Sequence, residues 1–285
     1  MSHLQLIKGH GTGNDFVLLV DDEGTHDLSA DFVSKVCDRN FGLGGDGLIR
    51  VVRTRFAAEA DIRSFADRAE WFMDYRNADG SIAEMCGNGA RVFAHFLATT
   101  GRVGGDEYLI MTRSGMRWIN RRDKNVYAVE MGVAQLLPDE VNLTSPISAK
   151  AIGVIVPNPH AVVFVSDLAA VGSLNQTPTL EPAAVFANGV NVEFVQVLNS
   201  HHLKMRVFER GVGETLSCGT GACAVAHATR IELKGELPAT TQVDVPGGSV
   251  WVEEDIAGEL TLVGPAELVG EFSLHAEWLE HRGKI

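Results

Sequence analysis

Apolar and polar positions alternate in short runs along most of this chain, and stretches of helical spacing are few. The opening LQLIKGHGTGNDFVLLVDD reads as strand, glycine-rich corner, strand. In LSADFVSKVCDRN the apolar residues recur at helical spacing, with Ser29 placed to cap the helix. FGLGGDG is a loop and LIRVVR a short strand. Residues 54–70 are charged and alanine-rich, which predicts a surface excursion with some helix. WFMDYRNADGS is a strand that runs into a turn at residues 77–80. EYLIMTRSGMRWINRRDKNVYAVEMG alternates as antiparallel strands joined by tight turns. The pattern then begins again, because AIGVIVPNPHAVVFVSDL repeats the strand, corner and strand of the opening. LEPAAVFANG predicts a short helix and a loop, and NVEFVQVLNSHHLKMRVFERGVGETLS two strands and a loop. The tail from TTQVDV to EFSL is mostly strand, punctuated by Gly and Pro.

The repetition is sharpest at two cysteines. AEMCGNGARVFAHF and TLSCGTGACAVAHA align Cys86 with Cys218, Gly87 with Gly219, Gly89 with Gly221, Ala90 with Ala222, Ala94 with Ala226 and His95 with His227. NGARVFAHFL is apolar on nearly all sides, so its helix belongs in the centre of a domain. Two unrelated buried helices could converge on small residues. The longer match favours duplication into two similar domains, each supplying one cysteine, and a length of 285 residues also suits two domains.

Composition narrows the partners. The chain is 45% hydrophobic and 21% charged, with a formal charge of −13. It has no concentrated basic run, which argues against nucleic acid and against anionic membranes. The N-terminus shows no apolar signal core, and the longest apolar runs are strand-sized. Four cysteines, Cys37, Cys86, Cys218 and Cys223, are too sparse for a stapled secreted scaffold. A cytoplasmic protein with reduced thiols is expected.

Each repeated cysteine precedes Gly-x-Gly and opens a helix. Glycines let the backbone approach a ligand, and the free N–H groups of a helix start favour an anion there. The same placement is expected to lower a thiol pKa. One such cysteine suggests a nucleophile; two, one per domain, suggest bases on opposite faces of one carbon and hence inversion of a stereocentre. Two converging helix starts would stabilise the carbanion by preorganised electrostatics, without a cofactor. Rival readings are weaker. Cys218 and Cys223 lack zinc spacing. HGTGND leads into a strand rather than a helix, unlike a dinucleotide loop, and no Gly-Lys-Ser/Thr follows FGLGGDG. Cys37 and Cys223 are expected in the core.

The stretches KGHGTGNDFVLLVD, YRNADGSIAEMCGNGAR, PNPHAVVFV, GVNVEFV, ERGVGETLSCGTGA and VPGG, in this order, resemble the diaminopimelate epimerase family along most of the chain. The resemblance implies an α+β fold of two pseudo-symmetric domains. Each is a curled, mainly antiparallel, barrel-like sheet around a central helix, with the active site between domains. The expected bounds are residues 1–132, completed by 267–285, and residues 133–266. It implies interconversion of LL- and meso-2,6-diaminopimelate, in lysine and peptidoglycan precursor biosynthesis, without pyridoxal phosphate or metal. Cys86 and Cys218 become the acid/base pair. Asn14, Asn77, Asn158 and Asn191 become substrate-binding asparagines, and Glu209 and Arg210 hold the substrate's ammonium and carboxylate. Gly87, Asn88, Gly219 and Thr220 become backbone donors. His160 is an auxiliary candidate, either paired with Glu209 near one thiol or making a structural hydrogen bond. His95 and His227 read as core or packing residues. The partner is a small molecule, and a homodimer is left open. Gly47 departs from members that carry Gln there, and Val92 from members with a third cysteine. The nearest rival is a proline or hydroxyproline racemase, and a rival of another class is a catalytically silent binding relative.

Overall fold

In the computed structural model, which describes residues 4–26, 28–275 and 277–279, the opening hairpin forms as its alternation predicts. Strands β1 (Leu6–Gly11) and β2 (Asn14–Val20) pair antiparallel across a turn in which Thr12 and Gly13 take φ of 51° and 82°. Positive φ at both positions matches the twist of the flanking strands. Helix α1 (Ala30–Cys37) follows, and the Ser29 hydroxyl accepts from Phe32 N–H at 3.1 Å. Its buried face, Phe32, Val33, Val36 and Cys37, packs with Leu6, Val17, Leu19 and Leu48.

Strand β3 (Gly47–Arg53) lies parallel to β2 and antiparallel to β4 (Trp71–Asn77). Between β3 and β4, residues 54–70 hold a short 3-10 turn and helix α2 (Ala60–Arg63). Most of the segment is exposed and it carries some helix, as its charge suggested, but it also has a buried side. Ala57, Ile62 and Ala69 are buried with Val52, Phe72 and Met111 in a small core of their own. Glu59 anchors it by an ion pair to Arg113, which also holds the fully buried Asp74 of β4.

Helix α3 (Gly87–Thr99) comes next, then β5 (Glu107–Thr112), parallel to β4, and the antiparallel strands β6 (Gly115–Asp123) and β7 (Val126–Val133). The second half adds β8 (Gln135–Leu136), β9 (Val141–Ser145), β10 (Ala149–Val156), β11 (Asn158–Phe164) and β12 (Thr179–Glu181). It continues with β13 (Asn191–Asn199), β14 (His202–Glu209), β15 (Gly213–Thr215), helix α4 (Gly219–Glu232), β16 (Ala239–Val245), β17 (Gly248–Glu254) and β18 (Glu259–Pro265). Strand β19 (Glu267–Phe272) returns to pair with β1. Beyond it the Trp278 indole donates to the Phe41 carbonyl, and residues 280–285 of the expected closing segment lie outside the described residues.

The chain divides into two compact units, Met1–Val129 with Pro265–Ile285, and Glu130–Gly264. The order β1-β2-β3-β4-β5-β6 of the first is repeated as β10-β11-β13-β14-β16-β17 in the second. The second and third strands of each set run parallel, as do the fourth and fifth, and the other pairs are antiparallel. Each unit is thus a curled, mainly antiparallel sheet around its own helix. α3 packs on β1 to β4 and β19, and α4 on β10, β11, β13, β14, β16 and β17. Both helices are buried over most of their length, as a helix apolar on all sides must be.

Candidate active site

Helices α3 and α4 begin alike. Cys86 caps α3 with φ −138° and ψ 121°, and Cys218 caps α4 with φ −124° and ψ 116°. Both residues are extended, so each sulfur folds over the first turn of its helix. Gly89 N–H donates to the Cys86 sulfur and Gly221 N–H to the Cys218 sulfur, each at 3.4 Å. Oxygen-bearing side chains usually fill this position. A thiol here places a titratable group at the positive end of a helix dipole. Gly87, Asn88, Gly219 and Thr220 are the first residues of the two helices, where N–H groups have no carbonyl partner within the helix. Gly89 and Gly221 serve packing. A Cβ at Gly89 would stand 3.2 Å from the Ile49 and Met73 methyl groups, and one at Gly221 would stand 2.8 Å from the Glu193 carboxylate.

Around Cys86, which is half-buried, the sheet supplies polar side chains. The Cys86 thiol donates to Asn14 Oδ1 at 3.7 Å, and Asn88 Nδ2 donates to the same oxygen at 3.1 Å. Asn14 Nδ2 in turn donates to Asp46 Oδ2 at 2.6 Å. Asp46 was not singled out from sequence, although it sits in the glycine-rich GGDG loop; it aims Asn14. Asn77 ends β4 directly opposite Gly47, and its Nδ2 donates to Ser81 Oγ at 3.0 Å within the turn. Gly47 has no room for a side chain, because a Cβ there would stand 2.5 Å from the Arg76 carbonyl oxygen and 2.6 Å from the Tyr75 ring.

Cys218 is buried, and more donors surround it. Asn191 Nδ2 reaches its sulfur at 3.9 Å, and Thr220 Oγ1 lies 3.5 Å away. Asn191 Oδ1 accepts from Arg210 N–H at 2.9 Å, which joins the ends of β13 and β14. The Arg210 guanidinium is exposed and donates to the Asn188 carbonyl at 2.7 Å, while Glu209 accepts from the Thr215 hydroxyl at 2.5 Å. His160 does not take Glu209 as its carboxylate. Its Nδ1 meets Glu193 Oε1 at 2.7 Å, and its Nε2 meets Asn158 Oδ1 at 3.2 Å. The expectation that a helix start lowers both thiols fails at Cys218. Burial pushes this thiol well above its ordinary value, and the Glu209 and Glu193 carboxylates add to the rise. The Thr220 hydroxyl and Gly221 N–H oppose it without prevailing.

The remaining candidates fall elsewhere. Cys37 is buried, its thiol pushed up to about 12 chiefly by burial, and Cys223 is fully buried inside α4. His95 meets the Tyr127 hydroxyl at 3.1 Å. His227 meets Glu254 at 2.8 Å, and Arg230 donates to the same carboxylate.

The family model for diaminopimelate epimerase matches residues 6–137 and 153–269. The diaminopimelate epimerase of Streptomyces coelicolor is 46% identical over 285 residues, covering 98% of this chain and 98% of that one. That of Thermobifida fusca is 44% identical over 272 residues, covering 94% of this chain and 97% of that one. Among solved structures, a probable proline racemase from Agrobacterium radiobacter K84 aligns at a TM-score of 0.70 and 12% identity, covering 98% of this chain and 95% of that one. A phenazine biosynthesis protein of the PhzF family from Bacillus anthracis aligns at 0.69 and 15% identity, covering 96% and 100%. At such identities these two speak for the fold, the two-domain arrangement of curled sheets.

Proposed function

The chain belongs to the diaminopimelate epimerase family, and from that premise we propose that it interconverts LL- and meso-2,6-diaminopimelate by proton transfer at one α-carbon, with Cys86 and Cys218 as the acid/base pair. The observation that carries the reading is the repeated helix start. Two thiols, alone among the four cysteines, cap the central helices of two units with the same fold. Each serves one face of the α-carbon. In one direction Cys86, once its thiol proton has left to solvent, takes the α-proton while the buried Cys218 thiol delivers one to the opposite face, and for the other epimer the two exchange roles. The α-carboxylate takes the N–H groups of Gly87, Asn88, Gly219 and Thr220, which hold the charge that spreads onto it as the α-proton leaves.

Asn14, Asn77, Asn158 and Asn191 supply neutral donors and acceptors to a substrate with two amino-acid ends. Arg210 gives up its single bond to the Asn188 carbonyl for a two-pronged contact with the distal carboxylate, and Glu209 takes the ammonium. The reading calls on neither pyridoxal phosphate nor metal. It places the enzyme in the cytoplasm, in the synthesis of lysine and of peptidoglycan precursors, and the charge of −13 disfavours a nucleic-acid partner. Among the described residues no helix is long and apolar enough to cross a membrane. A homodimer is tested by sedimentation. The deciding experiment is incubation with LL-diaminopimelate in deuterated water, followed by proton NMR. Loss of the α-proton signal with formation of the meso form is expected. No exchange, or racemisation of proline at a comparable rate, overturns the assignment.

A further inference from the structure

Glu193 is fully buried in β13, two residues after Asn191, and faces the start of α4. Its Oε1 meets His160 Nδ1 at 2.7 Å, and its Oε2 is buried without a hydrogen-bond partner among the described residues. His160, on the neighbouring parallel strand β11, is equally buried. A buried carboxylate left unpaired costs several kcal/mol, so its partner's hydrogens matter. The carboxylate is an acceptor, so Nδ1 carries a hydrogen. The other ring nitrogen, Nε2, faces Asn158 Oδ1 at 3.2 Å, a second acceptor that a hydrogen on Nε2 would satisfy. With a hydrogen on each nitrogen the ring would be an imidazolium bound on both sides. The Cys218 thiol lies near this carboxylate and Glu209 near that thiol, and neither supplies a positive charge.

The chain of contacts has a direction. With its oxygen turned onto the ring, the Asn158 amide offers its NH2 group outward. A neutral ring, bare at Nε2, would turn the amide over and offer the oxygen instead. We propose that Glu193 is a positioning residue. By holding His160 with hydrogens on both nitrogens, it fixes the Asn158 amide with its NH2 presented to a carboxylate oxygen of the substrate. The word substrate here rests on the proposed function; the ring and amide arrangement does not.

The experiment has two arms. The first is nitrogen-15 NMR of the His160 imidazole in the free protein at neutral pH, which needs no turnover. Two protonated nitrogens are expected in the wild type and one in Glu193→Gln. A singly protonated wild-type ring overturns the proposal, as does a variant ring unchanged from the wild type. The second arm is steady-state kinetics with diaminopimelate. Glu193→Gln is expected to raise KM roughly tenfold with a smaller change in kcat, and to add nothing further in an Asn158→Ala background, because it acts through that amide. Full additivity of the two substitutions, the result of a general loss of packing, overturns the proposal. A wild type that turns over no diaminopimelate overturns the proposed function alone, and the NMR arm still decides the positioning.

Discussion

At the start of α3 the Cys86 sulfur is half-buried and donates to Asn14. At the start of α4 the Cys218 sulfur is buried, is met by Asn191 and Gly221 N–H groups, and lies near the Glu193 and Glu209 carboxylates. The backbones of the two caps differ by 14° in φ and 5° in ψ, both extended. A helix terminus is worth about 0.3–1 kcal/mol to a nearby charge, less than one pKa unit, whereas burial can shift a group by several units. The repeated scaffold therefore fixes where each thiol sits, and the unrepeated residues around it fix its charge. Strand β11 carries His160 at the position where β2 carries Phe16, and β13 carries Glu193 where β3 carries Ile49. In the proposed two-base inversion one thiol must hold a proton while the other lacks it, and the unlike surroundings favour the proton on Cys218 in the free protein.

The sharpest test removes each sulfur in turn. Cys86→Ala and Cys218→Ala are each expected to lower kcat by roughly 10²–10⁴, the usual scale of a lost acid or base. Circular dichroism should be unchanged, because each variant loses only a weak sulfur cap and a few long side-chain contacts to that sulfur. Near wild-type turnover in either variant breaks the comparison, since the two helix starts would then not work as a pair.

Next in size is a contrast between the repeat-related histidines. His227 shares the Glu254 carboxylate with Arg230, while among the described residues His95 hydrogen-bonds to the Tyr127 hydroxyl. Burial would raise Glu254, but the hydrogen bonds from His227 and Arg230 hold it down to about 2. Glu254→Gln should cost about 2–3 kcal/mol, and Tyr127→Phe about 1 kcal/mol, both read from thermal unfolding. The sign with pH follows from the lowered carboxyl. Its contribution is complete above about 4.5, the unfolded value, and is lost as pH falls toward about 2. The gap between wild type and Glu254→Gln should therefore narrow across that window. A gap constant down to pH 2 would show that the ion pair contributes nothing.

How far these features could be read in the sequence depended on whether they were local. The hairpins, the Ser29 cap, the buried central helices and the paired cysteines are all written in short-range alternation or in the repeat. Strands β8, β12 and β15 were missed because two or three residues carry no periodicity, and β9 because its alternation is too brief to separate from loop. Residues 54–70 are the surface excursion with some helix that their charge predicts, but the charge hid a small core that a few apolar side chains, Ile62 and Phe65 among them, build from within it. Glu193 was missed for a related reason. A lone acid in a strand reads as an outward position, yet Asn191 to Val195 are buried on both faces, and the His160 partner arrives through a parallel pairing that no local pattern announces. The resemblance supplied the asparagines, which singly would have passed for turn formers, as Asn77 does in its bond to Ser81.

A smaller effect separates the thiols chemically. Iodoacetamide reacts with the thiolate, so exposure and pKa act together. In the free protein Cys86 should be alkylated at least about tenfold faster than Cys218, with Cys37 and Cys223 slower still, and peptide mapping by mass spectrometry over a time course reads all four. Equal rates at Cys86 and Cys218 would mean that burial and the two carboxylates do not set the difference drawn above.

The smallest effect compares a cap that only holds with caps that also react. Ser29 occupies the same position on α1 that the cysteines occupy on α3 and α4, and its oxygen accepts from Phe32 N–H at 3.1 Å, shorter than either sulfur contact. An oxygen cap is worth about 1 kcal/mol, and α1 has only eight residues to spread its loss over. Ser29→Ala should therefore lower stability by about 1 kcal/mol and leave kcat and KM where they were, because α1 packs on the outer core with Leu19 and Leu48 and meets neither thiol. Cys86→Ser is the complementary change. It exchanges a weak cap for a strong one, so it should raise stability by a few tenths of a kcal/mol while turnover collapses, a hydroxyl being too weak an acid to exchange protons as a thiol does. Opposite signs for stability and activity in that one variant would separate what the position does for the helix from what it does for the reaction. A serine variant that lost both together would show that the sulfur is needed for packing, and the cap comparison would fail.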